Sequence, residues 1–385
     1  MSLERTVDLL TELINMPTIS ADSNLDLIEY VGKVLQPLDA DIELTYDEEA
    51  NKANLFATLG PRIEGGIVLS GHTDVVPVEG QPWTVDPFDA ITSRGRIYGR
   101  GACDMKGFIA CVLAMAPAFY RADLKRPVHF AFSFDEETGC LGAPLMLGRL
   151  KELGIRPSVC IIGEPTNMGV IEGHKGCYEY TTLFTGLEGH GAMPDRGVNA
   201  VEYAVRFISR LMEVAEELKE RAPAKSAFEP PWTTIQTGRI SGGIARNIIP
   251  RRCEVEWEMR PVNESDARYA LDRIHHFTND CLAKEMQATC VDANVVTHVI
   301  GEVCGFEPVP YSEALRIARE LTGNSDLSVV SFGTEAGLFQ QLGISTVVCG
   351  PGSIDQAHKP DEYVSIDQLQ QCLDMIGALI PKLCT

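Results

Sequence analysis

The chain has 385 residues and a mass of 42.1 kDa, which is long for one ordinary hydrophobic core and favours two domains. Its formal net charge of -21 disfavours nucleic acid or an anionic membrane as a partner, because both attract basic surfaces. With 45% hydrophobic residues, 23% charged residues and no apolar run near the roughly 20 residues of a membrane span, the composition is typical of a soluble globular protein.

The first sixteen residues, MSLERTVDLLTELINM, place apolar side chains at helical spacing. They contain no separate apolar core and no small-residue cleavage site, so they predict a folded helix and not a signal peptide. The twelve cysteines form no C-x-x-C pair, and several lie inside apolar runs where a reduced thiol packs as a small hydrophobe. This usage predicts a reducing, cytoplasmic location.

Strand and helix patterns alternate from the N-terminus to about Glu164. The predicted strands are GGIVLS, PVHFAFSF and SVCIIG, and the predicted helices between them cover 106–120 and 143–152. Such alternation indicates a largely parallel sheet that is covered by helices.

The pattern changes after residue 177. A strand over 178–184 is followed by a helix over 198–217, two strands, a helix over 265–281 and a strand over 288–296. The helix places Val198, Val201, Val205, Ile208 and Met212 on one face, and the third strand alternates Cys253, Val255, Trp257 and Met259 with charged residues. The resulting β-α-β-β-α-β order is ferredoxin-like, with the Pro-rich RAPAKSAFEPPW as an internal loop.

Helix and strand alternation resumes in the last third of the chain, through YSEALRIARELTG, a strand near LSVVS, a helix over 335–342 and the strand STVVCG. The last third is therefore expected to rejoin the first domain, with the middle block as an insertion. The predicted boundaries are 1–177 and 299–385 for the divided domain and 178–298 for the inserted one.

Histidines and acids follow the predicted strands, at the edge where open α/β sheets bind their ligands. They are His72 and Asp74 in SGHTDVVP, Asp104 in YGRGACDMKG, Asp135, Glu136 and Glu137 in FSFDEETG, Glu164 in IIGEPT, and His358 in the glycine-rich loop after STVVCG. Each residue alone has an ordinary explanation, such as a polar turn, a helix cap or a solvated surface acid.

Together, the His, Asp, Glu, Glu and His at one sheet edge favour a metal site, because converging carboxylates repel one another unless a cation neutralises them. Imidazole with carboxylate suits zinc, with cobalt and manganese as alternatives. Five ligands exceed what one catalytic zinc needs, but they suit two ions about 3.5 to 4 Å apart that share a bridging carboxylate.

Two acids beside the candidate ligands have separate expected roles. Asp74, two residues after His72 on extended backbone, is placed to accept the second ring N–H of that histidine and fix its tautomer. Neighbouring side chains on extended backbone point in different directions, so Glu136 and Glu137 are not both expected to bind metal. One ligates, and the other takes a proton from a metal-bound water.

At these residues the sequence resembles a family of two-zinc amidohydrolases and peptidases, which contains acetylornithine deacetylase, succinyl-diaminopimelate desuccinylase, aminoacylases and related carboxypeptidases. Besides the stretches already quoted, the resemblance runs through GLEGHGAMPDRGVNA, GRISGGIARNIIP, EMRPV and GPGSIDQAHKPDEYV. It implies a zinc-peptidase-like catalytic domain interrupted by a lid domain that usually dimerises. For the site it implies His72 and Glu164 on one zinc, Glu137 and His358 on the other, Asp104 bridging, Glu136 as general base and Asp74 behind His72.

Three details resemble the deacetylase branch of the family more than the desuccinylases, namely GEPT, SFGTEAGLF and GSIDQAHKPDEY. They imply removal of the acetyl group from N2-acetyl-L-ornithine. Succinyl-diaminopimelate and a broader set of N-acyl amino acids remain alternatives. Cys103 departs from the Ser or Thr that is commoner beside the bridging aspartate.

Three residues of the middle block complete the expected site. The resemblance implies that the guanidinium of Arg260 binds the substrate α-carboxylate through two hydrogen bonds. The ordinary alternative is that Arg260 pairs with Glu254, Glu256 or Glu258. It places Asn247 near the substrate, although that residue would also hold a turn. It also implies that His190 donates to the oxyanion in the active site of the neighbouring subunit.

Two other classes of function stay open at this stage. A metal-dead relative or binding protein would have lost a ligand or the base, yet every position is filled. A serine or cysteine hydrolase is disfavoured because no G-x-S-x-G turn occurs and Cys103 has no evident base.

Overall fold

The structure is a computed structural model that describes residues 2–324 and 328–385. The chain divides into two compact units. The first comprises Met1–Gly173, Pro308–Ser328 and Thr334–Thr385, and the second comprises His174–Glu307 and Val329–Gly333. The main divisions therefore fall at 173 and 307, whereas the sequence predicted 177 and 298.

Strands and helices alternate through much of the chain. The strands are β1 Asp41–Tyr46, β2 Ala53–Leu59, β3 Ile67–His72, β4 Ile91–Ser93, β5 Arg96–Tyr98, β6 Val128–Ser133, β7 Val159–Pro165, β8 Ile171–His174, β9 Cys177–Thr185, β10 Gly189–His190, β11 Thr234–Gly242, β12 Ile248–Ile249, β13 Arg252–Arg260, β14 Asn294–Val303, β15 Ser328–Val330, β16 Ser345–Gly350 and β17 Tyr363–Ser365. The helices are α1 Ser2–Ile14, α2 Leu25–Leu35, α3 Lys106–Arg121, α4 Gly142–Leu153, α5 Ala200–Glu220, α6 Glu264–His276, α7 Ala283–Thr289, α8 Glu313–Thr322, α9 Ala336–Gln341, α10 Ile366–Gly377 and α11 Ile380–Leu383.

The central sheet of the first unit has the neighbour order β1-β2-β6-β3-β7-β16-β8. Strand β3 is parallel to β6 and β7, and β16 is parallel to β7, which confirms the mostly parallel sheet. Every residue of β3, β6 and β7 is buried, as expected of strands that are covered on both faces. The carboxyl ends of these parallel strands therefore share one edge.

Helices α1, α3 and α10 pack on one another around the core of the first unit. Helix α3 is apolar on most of its surface and buries Phe108, Ile109, Val112 and Phe119, so it is a core helix. It begins at Lys106, two residues after Asp104, which anchors that part of the loop on a rigid element.

The main elements of the second unit follow in the order β9-α5-β11-β13-α6-β14, with the short β10, β12 and α7 between them, and its sheet is ordered β11-β13-β9-β14. This confirms the predicted β-α-β-β-α-β block. Strand β13 buries Cys253, Val255, Trp257 and Met259 in alternation, as its sequence predicts. Residues 221–233, which include the Pro-rich stretch, form no helix or strand.

One prediction for this unit was wrong, and another is confirmed only in part. The predicted strand over 288–296 begins too early, because residues up to Thr289 continue α7 and the strand β14 runs from Asn294 to Val303. The apolar face assigned to α5 is buried only in part. Val198 is buried, and Val201 and Ile208 pack partly buried against the core, whereas Val205 and Met212 are 52% and 65% exposed. The helix instead buries Ala200, Ala204, Phe207, Leu211, Val214 and Leu218.

In residues 2–324 and 328–385, we find no helix that combines the length and the apolarity needed to cross a membrane. The twelve cysteines are free thiols. Of the strand predicted near LSVVS, Ser328–Val330 is confirmed as β15, and Leu327 lies outside the described residues.

Candidate metal centre

Seven of the predicted site residues lie at one edge of the central sheet in the first unit. His72 ends β3 and Asp74 follows it, Asp104 precedes α3, Glu136 and Glu137 follow β6, Glu164 lies near the end of β7, and His358 follows β16. His72, Asp74, Asp104 and Glu164 are buried at 1%, 2%, 6% and 4% exposure, whereas the side chain of His358 is 53% exposed. Parallel strand ends thus bring together residues that are distant in the chain.

Asp104 faces two histidines at once. Its Oδ1 lies 3.0 Å from His72 Nε2, and its Oδ2 lies 3.4 Å from His358 Nε2. The same His358 nitrogen lies 3.0 Å from Glu137 Oε2, and His72 Nε2 lies 3.8 Å from Glu164 Oε1. One carboxylate therefore separates two imidazole-carboxylate pairs, which is the arrangement of a bridging ligand between two ions.

Ligand atoms also converge in groups of three. His72, Glu136 and Glu164 each offer one atom within 4.8 Å of the others, and so do His72, Asp104 and Glu137. Asp135, the other acid of this loop, does not join these groups, because both of its oxygens accept from Lys52 Nζ at 2.7 Å. Asp135 therefore forms a structural ion pair with Lys52.

The backbone at Glu136 and Glu137 is not extended, as the sequence analysis had assumed. The residues occupy a bend and a turn, in which the Glu136 carbonyl accepts the N–H groups of Gly139 and Cys140 at 3.1 and 2.9 Å. Both carboxylates therefore approach His72, each in a different group of candidate ligands. Geometry alone assigns neither of them to the proton-transfer role.

Asp74 contacts His72 mainly through its backbone. The Asp74 carbonyl oxygen lies 2.9 Å from His72 Nδ1, whereas the carboxylate Oδ1 is 3.6 Å away. The carboxylate instead accepts from Ser20 Oγ at 2.7 Å and from the backbone N–H groups of Glu136 and Glu137 at 3.1 and 3.3 Å. Asp74 therefore ties the His72 segment to the loop that carries the two glutamates.

The charges of the cluster are unbalanced. Burial raises the pKa values of Glu136 and Glu164 well above the ordinary value of a glutamate, and neighbouring carboxylates raise them further. Hydrogen bonds to Asp104 and Glu137 raise the pKa of His358 to about 10. Burial opposes the charging of His72, yet Glu164, Asp104 and Asp74 raise its pKa well above the ordinary value. The carboxylates of the cluster thus outnumber its two histidines, the groups in it that can carry a positive charge.

The residues fit a pair of divalent metal ions. Two imidazole nitrogens and the carboxylates of Asp104, Glu137 and Glu164 supply the nitrogen and oxygen donors that zinc, cobalt or manganese accept. A cation would also neutralise the carboxylates of Glu137 and Glu164, whose pKa burial and the neighbouring acids raise. Both the donor atoms and the negative charge of the cluster therefore match two divalent metal ions.

The remaining predicted residues lie in the second unit. His190 and Asn247 are neighbours there, because β10 pairs with β12 at His190 and Ile248, and the N–H of Gly191 donates to the Asn247 carbonyl at 2.8 Å. Both side chains are exposed. Arg260 donates from Nε and Nη2 to Glu258 Oε2 at 3.1 and 2.7 Å, so its fork is engaged by a neighbour on its own strand.

Several residues that contact this cluster were not singled out from the sequence. Cys140 Sγ lies 3.5 Å from Glu136 Oε1, and Glu362 accepts the backbone N–H of Asp104 at 3.1 Å. Glu362 lies in the GPGSIDQAHKPDEYV stretch, four residues after His358, but that stretch gave it no role of its own. Cys103, which the sequence analysis had flagged, donates from Sγ to the carbonyl of Ser353 at 3.2 Å and is buried.

Comparison with known proteins agrees with this geometry. Residues 68–382 match the model of peptidase family M20/M25/M40. The chain is 33% identical to the acetylornithine deacetylase of Shigella sonnei (strain Ss046), over 98% of this chain and 97% of that protein.

Solved structures share the fold. The M20 family metallo-carboxypeptidase Sso-CP2 from Sulfolobus solfataricus matches with a TM-score of 0.74 at 19% identity, over 98% of this chain and 99% of that one. The YXEP protein of Bacillus subtilis, described as a dinuclear metal binding peptidase from the M20 family, matches with a TM-score of 0.65 at 17% identity, over 100% and 98%. Family match, sequence identity and the clustered ligands agree, and we conclude that this chain belongs to peptidase family M20/M25/M40 and is a metallohydrolase that acts on amides.

Proposed function

We propose that this enzyme hydrolyses N2-acetyl-L-ornithine to L-ornithine and acetate at a centre of two zinc ions. The observation that carries the two-ion centre is the position of Asp104 between His72 and His358. The substrate rests on the 33% identity to an acetylornithine deacetylase over nearly the whole chain. The deacetylase-like GEPT, SFGTEAGLF and GSIDQAHKPDEY stretches also favour it.

In this proposal His72 and Glu164 hold one ion, Glu137 and His358 hold the other, and Asp104 bridges them. When bound, the two ions polarise the amide carbonyl and lower the pKa of water at the site. Cobalt or manganese would suit the same donors. The backbone hydrogen bonds of Asp74 to the Glu136 and Glu137 segment keep the glutamates next to His72 before any ion arrives.

Glu136 is the proposed general base. Its carboxylate takes a proton from the water whose oxygen attacks the acetyl carbonyl carbon, and then gives that proton to the ornithine nitrogen as the C–N bond breaks. The protons balance as follows: one water proton reaches the ornithine nitrogen through Glu136, and the water oxygen stays on the acetyl carbon as acetic acid, which releases the second water proton to give acetate. The Cys140 thiol 3.5 Å from Glu136 Oε1 and the backbone bond to Asp74 help to fix the base.

Arg260 is the proposed partner of the substrate α-carboxylate, because a guanidinium binds a carboxylate through two parallel hydrogen bonds. Its present partner, Glu258, is also a carboxylate, so the substrate would exchange with Glu258 at the same fork. Asn247 and His190 are proposed to contact the substrate and its oxyanion. Their adjacency at the end of the β10-β12 pair, where the Gly191 N–H donates to the Asn247 carbonyl, supports a shared role.

A homodimer through the second unit is part of the proposal. Strand β14 lies at one edge of its sheet and exposes Val299 at 59% and Ile300 at 57%. On α5, Val205 and Met212 are exposed at 52% and 65%. Exposed apolar side chains at a sheet edge and on a helix of one unit are typical of an association surface. The twelve free thiols support a cytoplasmic location.

A substrate panel tests the assignment. Initial rates would be measured on N2-acetyl-L-ornithine, N-succinyl-diaminopimelate and a series of N-acetyl amino acids, with Glu136→Gln as the inactive control. The highest kcat/KM is expected on acetylornithine. A preference for the succinylated substrate would overturn the assignment, and equal rates across the panel would indicate a broad N-acyl-amino-acid deacylase. Failure of every amide, with no metal bound, would leave a binding protein of the same fold.

A further inference from the structure

A buried carboxylate outside the ligand set organises the backbone of the Asp104 loop. Glu362 is 1% exposed and accepts three backbone N–H groups. Its Oε1 accepts from Cys103 at 2.8 Å and from Asp104 at 3.1 Å, and its Oε2 accepts from Gly101 at 3.1 Å. One side chain therefore fixes the backbone on both sides of Ala102, up to and including the aspartate that faces both histidines.

Arg100 extends this contact towards the other ligand loop. Its Nη1 donates to Glu362 Oε2 at 2.7 Å, and its Nη2 donates to Gln81 Oε1 at 2.6 Å. Gln81 in turn donates from Nε2 to the backbone carbonyl of His358 at 2.9 Å. A continuous chain of hydrogen bonds therefore joins the Asp104 backbone to the His358 backbone through Glu362, Arg100 and Gln81.

The backbone at both ends of this chain needs outside support. Residues 99–105 form neither helix nor strand, so their N–H groups lack the regular partners that a ladder would provide. His358 has φ of 60°, in the left-handed region that non-glycine residues adopt only when their surroundings fix them. The side chains of Glu362 and Gln81 supply these missing contacts.

Simple stabilisation is a poor explanation for the pair at the centre of the chain. The Glu362 and Arg100 side chains are 0% and 1% exposed, and desolvating two such charges offsets most of their attraction. A role that depends on geometry accounts for this placement better than a gain in folding energy.

We propose that Glu362 is a positioning residue which, through Arg100 and Gln81, sets the relative positions of Asp104 and His358 for the binding of the two metal ions. This inference rests on the proposed metal centre and adds to it a set of residues that touch neither substrate nor ion. It assigns Glu362 to the assembly of the centre and not to proton transfer. Outer residues of this kind typically change metal affinity or activity by about 10- to 100-fold when they are replaced.

The test is metal titration of chelator-treated protein, followed by calorimetry with zinc or by the visible spectrum with cobalt. Glu362→Gln keeps the size of the side chain and removes its charge and one of its two acceptors. Its affinity for at least one of the two ions is expected to fall by about 10- to 100-fold. Gln81→Ala removes a partly exposed side chain that accepts from Arg100 Nη2 and Trp83 Nε1 and donates to the His358 carbonyl. It breaks the chain at the His358 end but leaves Glu362 on the Asp104 backbone, and it is expected to weaken metal binding by a smaller factor.

Asp266→Asn is the matched control. Asp266 is also a buried, paired acid, at 2% exposure, with Arg221 Nε at 3.1 Å and Thr233 Oγ1 at 3.0 Å, but it belongs to the second unit. Its replacement is expected to lower the melting temperature while leaving both metal affinities unchanged. Loss of affinity in Glu362→Gln alone therefore separates positioning from general destabilisation.

Unchanged metal affinity in Glu362→Gln overturns the inference, and Gln81→Ala decides in the same way if Glu362→Gln does not fold. A second result that would overturn it is an equal loss of affinity in Asp266→Asn. Wild-type protein that binds no metal contradicts the proposed function itself, so the two failures are distinguishable.

Discussion

The carboxylate of Asp74 accepts the backbone N–H of Glu136 at 3.1 Å, and it reaches the N–H of Glu137 at 3.3 Å through its other oxygen. From the sequence, this carboxylate was expected to orient His72. In the structure, the group nearer to His72 Nδ1 is the backbone carbonyl of Asp74, at 2.9 Å. Asp74 therefore orients the histidine with its main chain and the glutamate loop with its side chain.

Asp74→Asn should lower turnover more than it lowers the affinity of the His72 ion. Asparagine keeps the backbone carbonyl that holds His72, but it offers one side-chain oxygen where aspartate offers two to the glutamate loop. The expected loss in kcat is about 10- to 100-fold. Steady-state kinetics and metal titration on the same preparation check this. Loss of a metal ion with kcat preserved per occupied site would show that the carboxylate serves His72 after all.

Glu136→Gln should keep both metal ions and lose most of the turnover. The amide removes proton transfer without removing the other candidate ligands, and general bases contribute about 100- to 10,000-fold. Metal content by elemental analysis and single-turnover rates with acetylornithine are the measurements. Because Glu136 also lies within reach of His72 and Glu164, loss of one ion in this variant would instead identify it as a ligand.

Asp104→Ala should reduce the metal content of the protein. Its two oxygens face His72 and His358 separately, so no other residue of the cluster supplies the same bridge. Protein purified without chelator is expected to contain two ions per chain in the wild type and fewer in the variant. Equal occupancy in the two proteins would contradict a bridging role.

Mixing His190→Ala with Glu136→Gln should restore activity that neither variant has alone. If His190 acts in the site of the partner subunit, a hybrid dimer contains one site with an intact Glu136 and an intact His190. Such a donor to the oxyanion is worth roughly 2.7 to 4 kcal/mol, so the recovery is measurable. Initial rates are recorded after subunit exchange has been demonstrated with labelled chains.

The matched control is a mixture of Glu136→Gln with the Glu136→Gln/His190→Ala double variant, which cannot form a complete site. No recovery in the main mixture, despite proven exchange, would place His190 in the site of its own chain or outside catalysis.

Stability should depend on pH through His129, which lies apart from the metal cluster. Burial lowers the pKa of His129 to about 4, against an ordinary value of 6.5. Its Nδ1 lies 2.9 Å from Thr58 Oγ1 and its Nε2 lies 3.3 Å from the Gly65 carbonyl, so the folded protein holds the neutral ring. Between pH 6.5 and about 4 the unfolded chain binds a proton that the folded chain excludes, and stability falls as the pH falls.

His129→Gln should lack this part of the pH dependence, which amounts to roughly 3 kcal/mol across the window. Urea unfolding at several pH values between 7 and 4 gives the difference between the two proteins. Relative to the variant, the wild type should lose free energy of unfolding as the pH falls. Parallel curves for the two proteins would show that the ring is protonated without cost in the folded state.

Local sequence patterns determined the elements and the candidate ligands. Apolar runs of strand length predicted β3, β6, β7 and β16, because a strand buried on both faces needs nothing but apolar residues. The polar residues directly after those runs had to lie at one edge, because parallel strands end together. For this reason His72, Glu164 and His358 could be named without coordinates.

The tertiary structure decided which contacts the side chains make. Glu362 and Asp104 lie far apart in the chain, so no local pattern relates them, and their hydrogen bond depends on how two loops meet. The turn that brings Glu136 and Glu137 to the same histidine depends on long-range bonds to Asp74. Helix α5 carries apolar residues on two faces, and only packing against its sheet selected the one with Phe207 and Leu211 for burial. Helical periodicity identifies a face by its angle on the helix, but the partner that covers it is set by the rest of the fold.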